Sequence, residues 1–436
     1  MNNKLLAGAI GLFLATGLYL SATLSRPAQA EPPRPKPTAT QSVAQNPDKP
    51  DKPDKPGKPV VAWAPAVKPK PLSPTVQTGL DWLVKHQLPN GGWGQGEESQ
   101  QMGGGANLAE VANVADTCIS ALALIRAGST PTSGEHAQSL RKAIGFVCGE
   151  VEGSDPDSMQ VSKVNGTRVQ SKLGPHIDTF LASMLLAEVK GKMGDPAANK
   201  QVDVCLAKVL KKIEKNQKED GTWTREGWAP VLAQGMASKG LNRAAQAGAD
   251  VDLKTLEKAQ TYASTQATAP AGAAGEGSAG VALYSTSSNT GALQDSLNTL
   301  EAREDELKDK AKNAPTKKER DEAQGQLKQL DDGRKAQESA RATLVSKLDD
   351  PGFVAGFGNN GGEEFLSYMN ISESLVVKGG EEWQKWDQSM IANLGRVQNK
   401  DGSWTGHHCI TGRNFCTAAA LLVLTADRAP VPITKR

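Results

Sequence analysis

The chain is poor in several residues from which common protein classes are built. Aromatic side chains make up 4% of its 436 positions, too few to wall a cavity that holds a carbocation over aromatic faces. Five cysteines, Cys118, Cys148, Cys205, Cys409 and Cys416, cannot form the disulfide scaffold of a small secreted domain, and their odd number leaves at least one thiol unpaired within the chain. Neither sign of charge is in excess. With 50 basic and 48 acidic side chains the net charge is +2, so no overall field draws the protein to nucleic acid or to anionic lipid. Long apolar runs are equally scarce, apart from one near the start.

That run, Leu5 to Leu24, follows a basic N-terminus and precedes Ala28-Gln29-Ala30, a small-x-small cleavage pattern. Residues 1–30 therefore read as an export signal that is either removed or kept as an anchor, since a run of about twenty residues just spans a bilayer. Any membrane contact is expected through residues 5–24 alone, with the chain exported into the periplasm, secreted, or tethered. Residues 31–73 carry no periodicity, and the repeated Asp-Lys-Pro within them makes a semi-rigid spacer.

From Pro74 onward the pattern turns helical. Val76, Leu80, Leu83 and Val84 share one face of an outer helix that Ser73 or Thr75 can cap. After a turn at Pro89 to Gly92, Val111, Val114, Cys118, Ala121, Leu122 and Ile125 keep a 3.6-residue period on a helix apolar on most sides, as a buried one is. This order of outer helix, Gly-Trp turn and inner helix recurs. Leu83, Gln87, Gly91 and Trp93 return as Ile213, Gln217, Gly221 and Trp223, and again as Leu394, Gln398, Gly402 and Trp404. Each hairpin leaves apolar surface that its neighbours must cover, so the copies stack. Gln87, Trp93, Gln217, Trp223, Gln398 and Trp404 are read as scaffold.

The apolar-x3-Gln-x3-Gly-x-Trp spacing, followed by an inner helix rich in Thr and Ala, resembles the repeats of the squalene cyclase and protein prenyltransferase superfamily. The resemblance implies an all-α fold, an α/α toroid of helical hairpins with the apolar helices inside. It covers residues 74–250 and 350–427, and the toroid is expected over residues 74–290 and 350–427. Residues 291–349 differ: Leu293, Leu297, Leu300 and Leu307 on a charged background, a break at Asn313 to Pro315, and a Thr316/Glu319 capping box predict an inserted antiparallel, coiled-coil-like helical hairpin. Residues 428–436 form a tail. The chemistries of the superfamily are not carried over. No Asp-x-Asp-Asp is present to start a terpenoid cyclisation, Phe415-Cys416-Thr417 puts cysteine where prenyltransferases use a histidine zinc ligand, and Cys148-Gly149-Glu150 lacks the glutamine of a thioester motif.

What has no counterpart in the other repeats is the loop GHHCITGRNFC. Three uses compete for it and the nearby carboxylates. His407 or His408 with Cys409 and Cys416 offers imidazole and thiolate to zinc. Alternatively Glu363 or Glu364 works with His408 in acid–base catalysis, making a hydrolase or lyase of an extracytoplasmic polymer, with Arg413 facing an acidic group of the substrate. In the third, Cys409 and Cys416 form a disulfide, His407 and His408 bond to turns, and Arg413 pairs with Glu363 or Glu364. Tyr368 belongs to the same polar group, and His176 with Asp178 opens another inner helix as a second candidate ligand-binding pair. The favoured function is a non-terpenoid ring that binds an extracytoplasmic ligand or protein at its mouth.

Overall fold

The computed structural model describes residues 60–97, 108–267, 275–358 and 360–433; the expected signal segment and most of the spacer lie outside them. The described chain is all-α apart from one small sheet. The first hairpin joins α1 (Pro74–Lys85) to α2 (Val114–Arg126). The second runs from α3 (Ala137–Gly153) through the short α4 (Arg168–Leu173) to α5 (Ile177–Val189). The third pairs α6 (Pro196–Lys215) with α7 (Pro230–Gln246), and the fourth α8 (Leu253–Ala267) with α9 (Ala282–Glu301). Then come α10 (Glu304–Asn313), α11 (Lys317–Val345) and the one-turn α12 (Pro351–Ala355) before α13 (Gly362–Lys378). The last hairpin is α14 (Gly380–Val397) with α15 (Arg413–Leu424).

Helices α2, α5, α7, α9, α13 and α15 pack each against the next, and α15 returns to α2, closing an inner ring. The outer helices cover it: α1 lies over α15 and α2, α6 over α5, and α14 over α13 and α15. Burial follows the layers. On α1 a single stripe of Val76, Gly79, Leu80, Trp82 and Leu83 is buried, whereas all 13 residues of α5 are buried because neighbours surround it. The structure is thus the all-α toroid that the repeats imply.

The repeat residues tie the hairpins together. Gln87 Nε2 donates to Gly91 O of its own turn (2.7 Å) and to Ser139 O at the start of α3 (2.8 Å). Gln217 reaches Thr255 O of α8 (2.9 Å), and Gln398 reaches Thr75 O of α1 (2.9 Å), which locks the last hairpin to the first. The indole N–H of Trp93, Trp223 and Trp404 donates to Leu83 O, Ile213 O and Leu394 O at 2.7–2.9 Å. Each turn needs its glycine. Gly91, Gly221 and Gly402 have φ of +85° to +92°, and a Cβ on any of them would lie 2.3–2.6 Å from the carbonyl oxygen of Lys142, Lys258 or Thr78 in the adjoining hairpin.

Two stretches depart from the sequence reading. Leu293, Leu297 and Leu300 were expected in the inserted hairpin from residue 291, yet they sit on the second half of the inner helix α9. Residue 291 therefore falls inside a helix, and the hairpin proper is α10 and α11, whose Leu307, Ala323 and Leu330 pack on Leu297 and Leu300. Its Thr316/Glu319 capping box forms as expected. Second, the end of the spacer and the tail are not both free. β1 (Trp63–Pro65) pairs antiparallel with β2 (Pro430–Pro432), Trp63 opposite Pro432, and the pair covers the C-terminal end of α7 through Val61 N–H to Gln246 O at 2.8 Å and Trp63 Nε1–H to Gln246 Oε1 at 3.0 Å. No helix among the described residues is long and apolar enough to cross a membrane.

Candidate functional site

The inner helices run parallel. At their starts, Asp178 of α5 accepts from Ala115 N–H of α2 (3.0 Å), and Tyr284 of α9 donates to Glu364 of α13 (2.5 Å). Nine to eleven residues further along α2, α5 and α13, about 15 Å down the helix axis, stand Arg126, Glu188 and Glu373. Parallel dipoles put partial positive charge at one end of the ring and negative charge at the other. Acids in the first turns answer that polarity, while the far end balances its cations with acids of equal number.

The far layer is a closed charge network. Arg126 grips Glu188 through two hydrogen bonds of 2.6 and 2.8 Å. Lys239 lies 2.8 Å from Glu373 and 2.9 Å from Asp295, and Arg243 stands 3.9 Å from both Glu188 and Glu373. Lys239, Arg126 and Arg243 outweigh the cost of burial for Glu373 and draw its carboxyl down to about 2. Glu373, on the same helix as Glu363 and Glu364, belongs to this layer and not to the mouth.

The near layer forms the mouth. Glu363 and Glu364 occupy the first turn of α13, both with no solvent exposure. Glu364 Oε1 accepts from Tyr284 O–H and from Phe357 N–H (3.0 Å), while Oε2 lies 3.3 Å from His408 Nε2. That approach is misaligned for a hydrogen bond. Glu364 Oε2 and both ring nitrogens of His408 consequently have no hydrogen-bond partner within the protein. Glu363 Oε2 accepts from Ile410 N–H at 3.2 Å. Burial, reinforced by the Glu364 carboxylate, pushes Glu363 up to about 8, and burial pulls His408 below the usual imidazole value against the opposing pull of Glu364.

Gly356, Gly358 and Gly361 lie close against these groups. A Cβ at Gly361 would fall 2.7 Å from Glu364 Oε2 and 2.8 Å from His408 Cε1; one at Gly358 would meet His408 Cδ2 at 2.7 Å. Over the carboxylates runs a row of rings: Trp228 edge-on to Phe357 (5.1 Å between centroids), Phe357 to His408 (5.3 Å) and His408 to His407 (5.0 Å). Phe357 is 57% exposed. Lys172 Nζ of α4 sits 5.7 Å above the Trp228 ring.

Other expected site residues go elsewhere. Arg413 does not pair with Glu363 or Glu364; it binds Asp401 (2.8 Å) and approaches Glu97 (3.4 Å), because its side chain leaves the start of α15 toward the repeat turn. Tyr368 donates to Val354 O and packs on Phe365 and Trp386, away from the mouth. Asp178 is tied to Ala115 N–H and to Gln170 Nε2 (2.8 Å), and burial lifts it to about 6; His176 stands half-buried just before it. His407 Nδ1–H donates to Asn360 O (2.9 Å).

The disulfide expected between Cys409 and Cys416 is not formed, as all five cysteines are thiols. Cys409 takes a left-handed φ of +54° and its thiol is pushed up to about 12 by burial, while Cys416 donates to Ile410 O at 3.4 Å. Nor are His408, Cys409 and Cys416 gathered as zinc ligands, since no group of three His, Cys, Asp or Glu able to hold a metal occurs among the described residues. Tyr284, Trp228, Phe357 and Lys172 were not anticipated. One available signal was Tyr284, one of four tyrosines, alone in a Ser-rich run.

No family model matches the chain, and no curated protein matches it. Of the expected resemblance, the helical ring is what the structure bears out. Among solved structures the chain is similar to one described as a novel alpha-amylase from Clostridium perfringens, at 11% identity and a TM-score of 0.48, over 81% of this chain and 98% of that one. A likeness of that degree says nothing about chemistry at this mouth.

Proposed function

We propose that the protein is an exported binding ring whose mouth takes an acidic glycan. The observation that carries this reading is the row Trp228, Phe357, His408 and His407, held from beneath by Glu364 and flanked by Lys172. Exposed rings offer apolar faces to sugar rings, and a lysine beside them offers charge to a carboxylate. Titration calorimetry of the full chain with polygalacturonate and with neutral amylose tests it. Binding of the uronate polymer, weakened at least about tenfold by Phe357→Ala or Lys172→Ala, supports the reading; equal affinity for the two polymers, or no heat with either, defeats it.

A second reading has its own support. Glu363, held protonated near neutral pH, and a neutral His408 beside Glu364 form an acid and a base in one pocket. In a hydrolase or lyase of the same polymer, His408 would accept the proton and Glu363 would supply one to the leaving oxygen. With both carboxyls fully buried, that chemistry requires the Phe357 ring to turn aside. Release of new reducing ends from polygalacturonate, lost in His408→Ala, would establish it; intact polymer after prolonged incubation would leave binding alone.

A further inference from the structure

The glutamine ties are unevenly distributed around the ring. Gln87 joins the first hairpin to the second, Gln217 the third to the fourth, and Gln398 the last to the first. The second hairpin has no Gly-Trp turn, so its seam with the third has no such clamp. At that seam α3 packs on α6, and there two cysteines meet. Cys148 and Cys205 are each 1% exposed; Cys205 Sγ lies 3.7 Å from Cys148 O across the seam, and each thiol is the foremost influence on the acidity of the other.

We propose that Cys148 and Cys205 form a disulfide that staples the second hairpin to the third, in place of the missing glutamine clamp. The pairing is unreadable from sequence, because the two residues are 57 positions apart, and it displaces the Cys409–Cys416 bridge as the link that an oxidising compartment would make. The chemistry is thiol–disulfide exchange with an oxidised dithiol carrier or oxidised glutathione. The Cys205 thiolate attacks one sulfur of the oxidant and expels its first thiolate. The Cys148 thiolate then attacks the Cys205 sulfur and expels the second. Two protons and two electrons leave the protein, and one disulfide of the oxidant becomes two thiols. The neighbourhood assigns the order: Glu152, Lys208 and the Cys148 thiol surround Cys205, and the Cys148 thiol stabilises the Cys205 thiolate.

The test needs no export. The full chain is reduced, unfolded, refolded in excess oxidised glutathione, quenched in acid, alkylated with a maleimide, and mapped by mass spectrometry without reduction. The expected result is one linked peptide pair joining Cys148 to Cys205, lighter by two hydrogens than the reduced pair, with Cys118, Cys409 and Cys416 alkylated. Closing a loop of this length should raise Tm on the order of 5 °C over the Cys148→Ser protein, a difference that vanishes in reducing buffer. Five alkylated thiols, or a bridge from Cys148 to Cys118, would overturn the assignment. Should Cys148→Ser not fold, the mapping of the wild-type chain decides by itself.

Discussion

One glycine and one buried carboxyl, Gly361 and Glu363, show most sharply how single residues set the mouth. Gly361 faces Glu364 and His408 so closely that an added methyl meets both below 3 Å. Gly361→Ala is expected to cost about 1–3 kcal/mol in urea unfolding and to weaken glycan binding, whereas Gly145→Ala, mid-helix on α3 with open space around its Cβ position, should gain about 0.5–1 kcal/mol and leave binding unchanged. Glu363 makes a prediction in pH. Its folded value of about 8 lies above that of an unfolded glutamate near 4.3, so between those values the folded state holds a proton that the unfolded state has released, and stability falls as pH rises through the window. Glu363→Gln removes this dependence. Its stability relative to wild type should grow by roughly a few kcal/mol from pH 5 to pH 8, read from denaturation midpoints at each pH. An unchanged difference would mean that Glu363 is ionised throughout. The juxtaposition of Glu364 with His408 was legible in the sequence; the complete burial of both carboxyls was not, because nothing local marks Glu363 and Glu364 as enclosed.

At the scale of elements, the repeat was the legible part. The Gln, Gly and Trp positions act within one turn and its neighbour, through chemistry that a fixed spacing encodes. Helix and hairpin order, inner against outer helices and the Thr316 cap could be read for the same reason. Where a helix carries few large apolar residues the reading slipped, as in α9, whose Ser, Thr, Asn and Gln residues are buried against α7 and α13 rather than solvated. The ties can be measured. Gln398→Ala should lose about 1–2 kcal/mol, since Thr75 O and Gly402 O both lose a donor. Gly402→Ala should lose more, because it adds left-handed backbone strain to a 2.5 Å approach to Thr78 O. Equal losses would show that the amide, rather than the glycine, governs the turn.

Taken whole, the molecule is a polar ring: carboxyls and aromatic rings at the end where inner helices begin, a neutral network of three acids and three bases where they end, and a two-stranded sheet over that far end. The far network was not readable in advance, since Arg126, Glu188, Lys239, Arg243, Asp295 and Glu373 converge only once the ring has closed. Removing one member should be severe. Glu373→Gln leaves Lys239 and Arg243 with one buried carboxylate fewer, and a loss of about 3–5 kcal/mol is expected in thermal or urea unfolding. The sheet at the closed end leaves the mouth as the face for a ligand, and amide hydrogen exchange on the full chain with and without polygalacturonate tests that directly. Protection should appear at the Phe357 and Ile410 amides, which bond to Glu364 and Glu363, with none at β1 and β2. Protection confined instead to the cleft of about 660 Å³ between α8 and α11, lined by Gln260 and Gln326, or absent everywhere, would contradict the account.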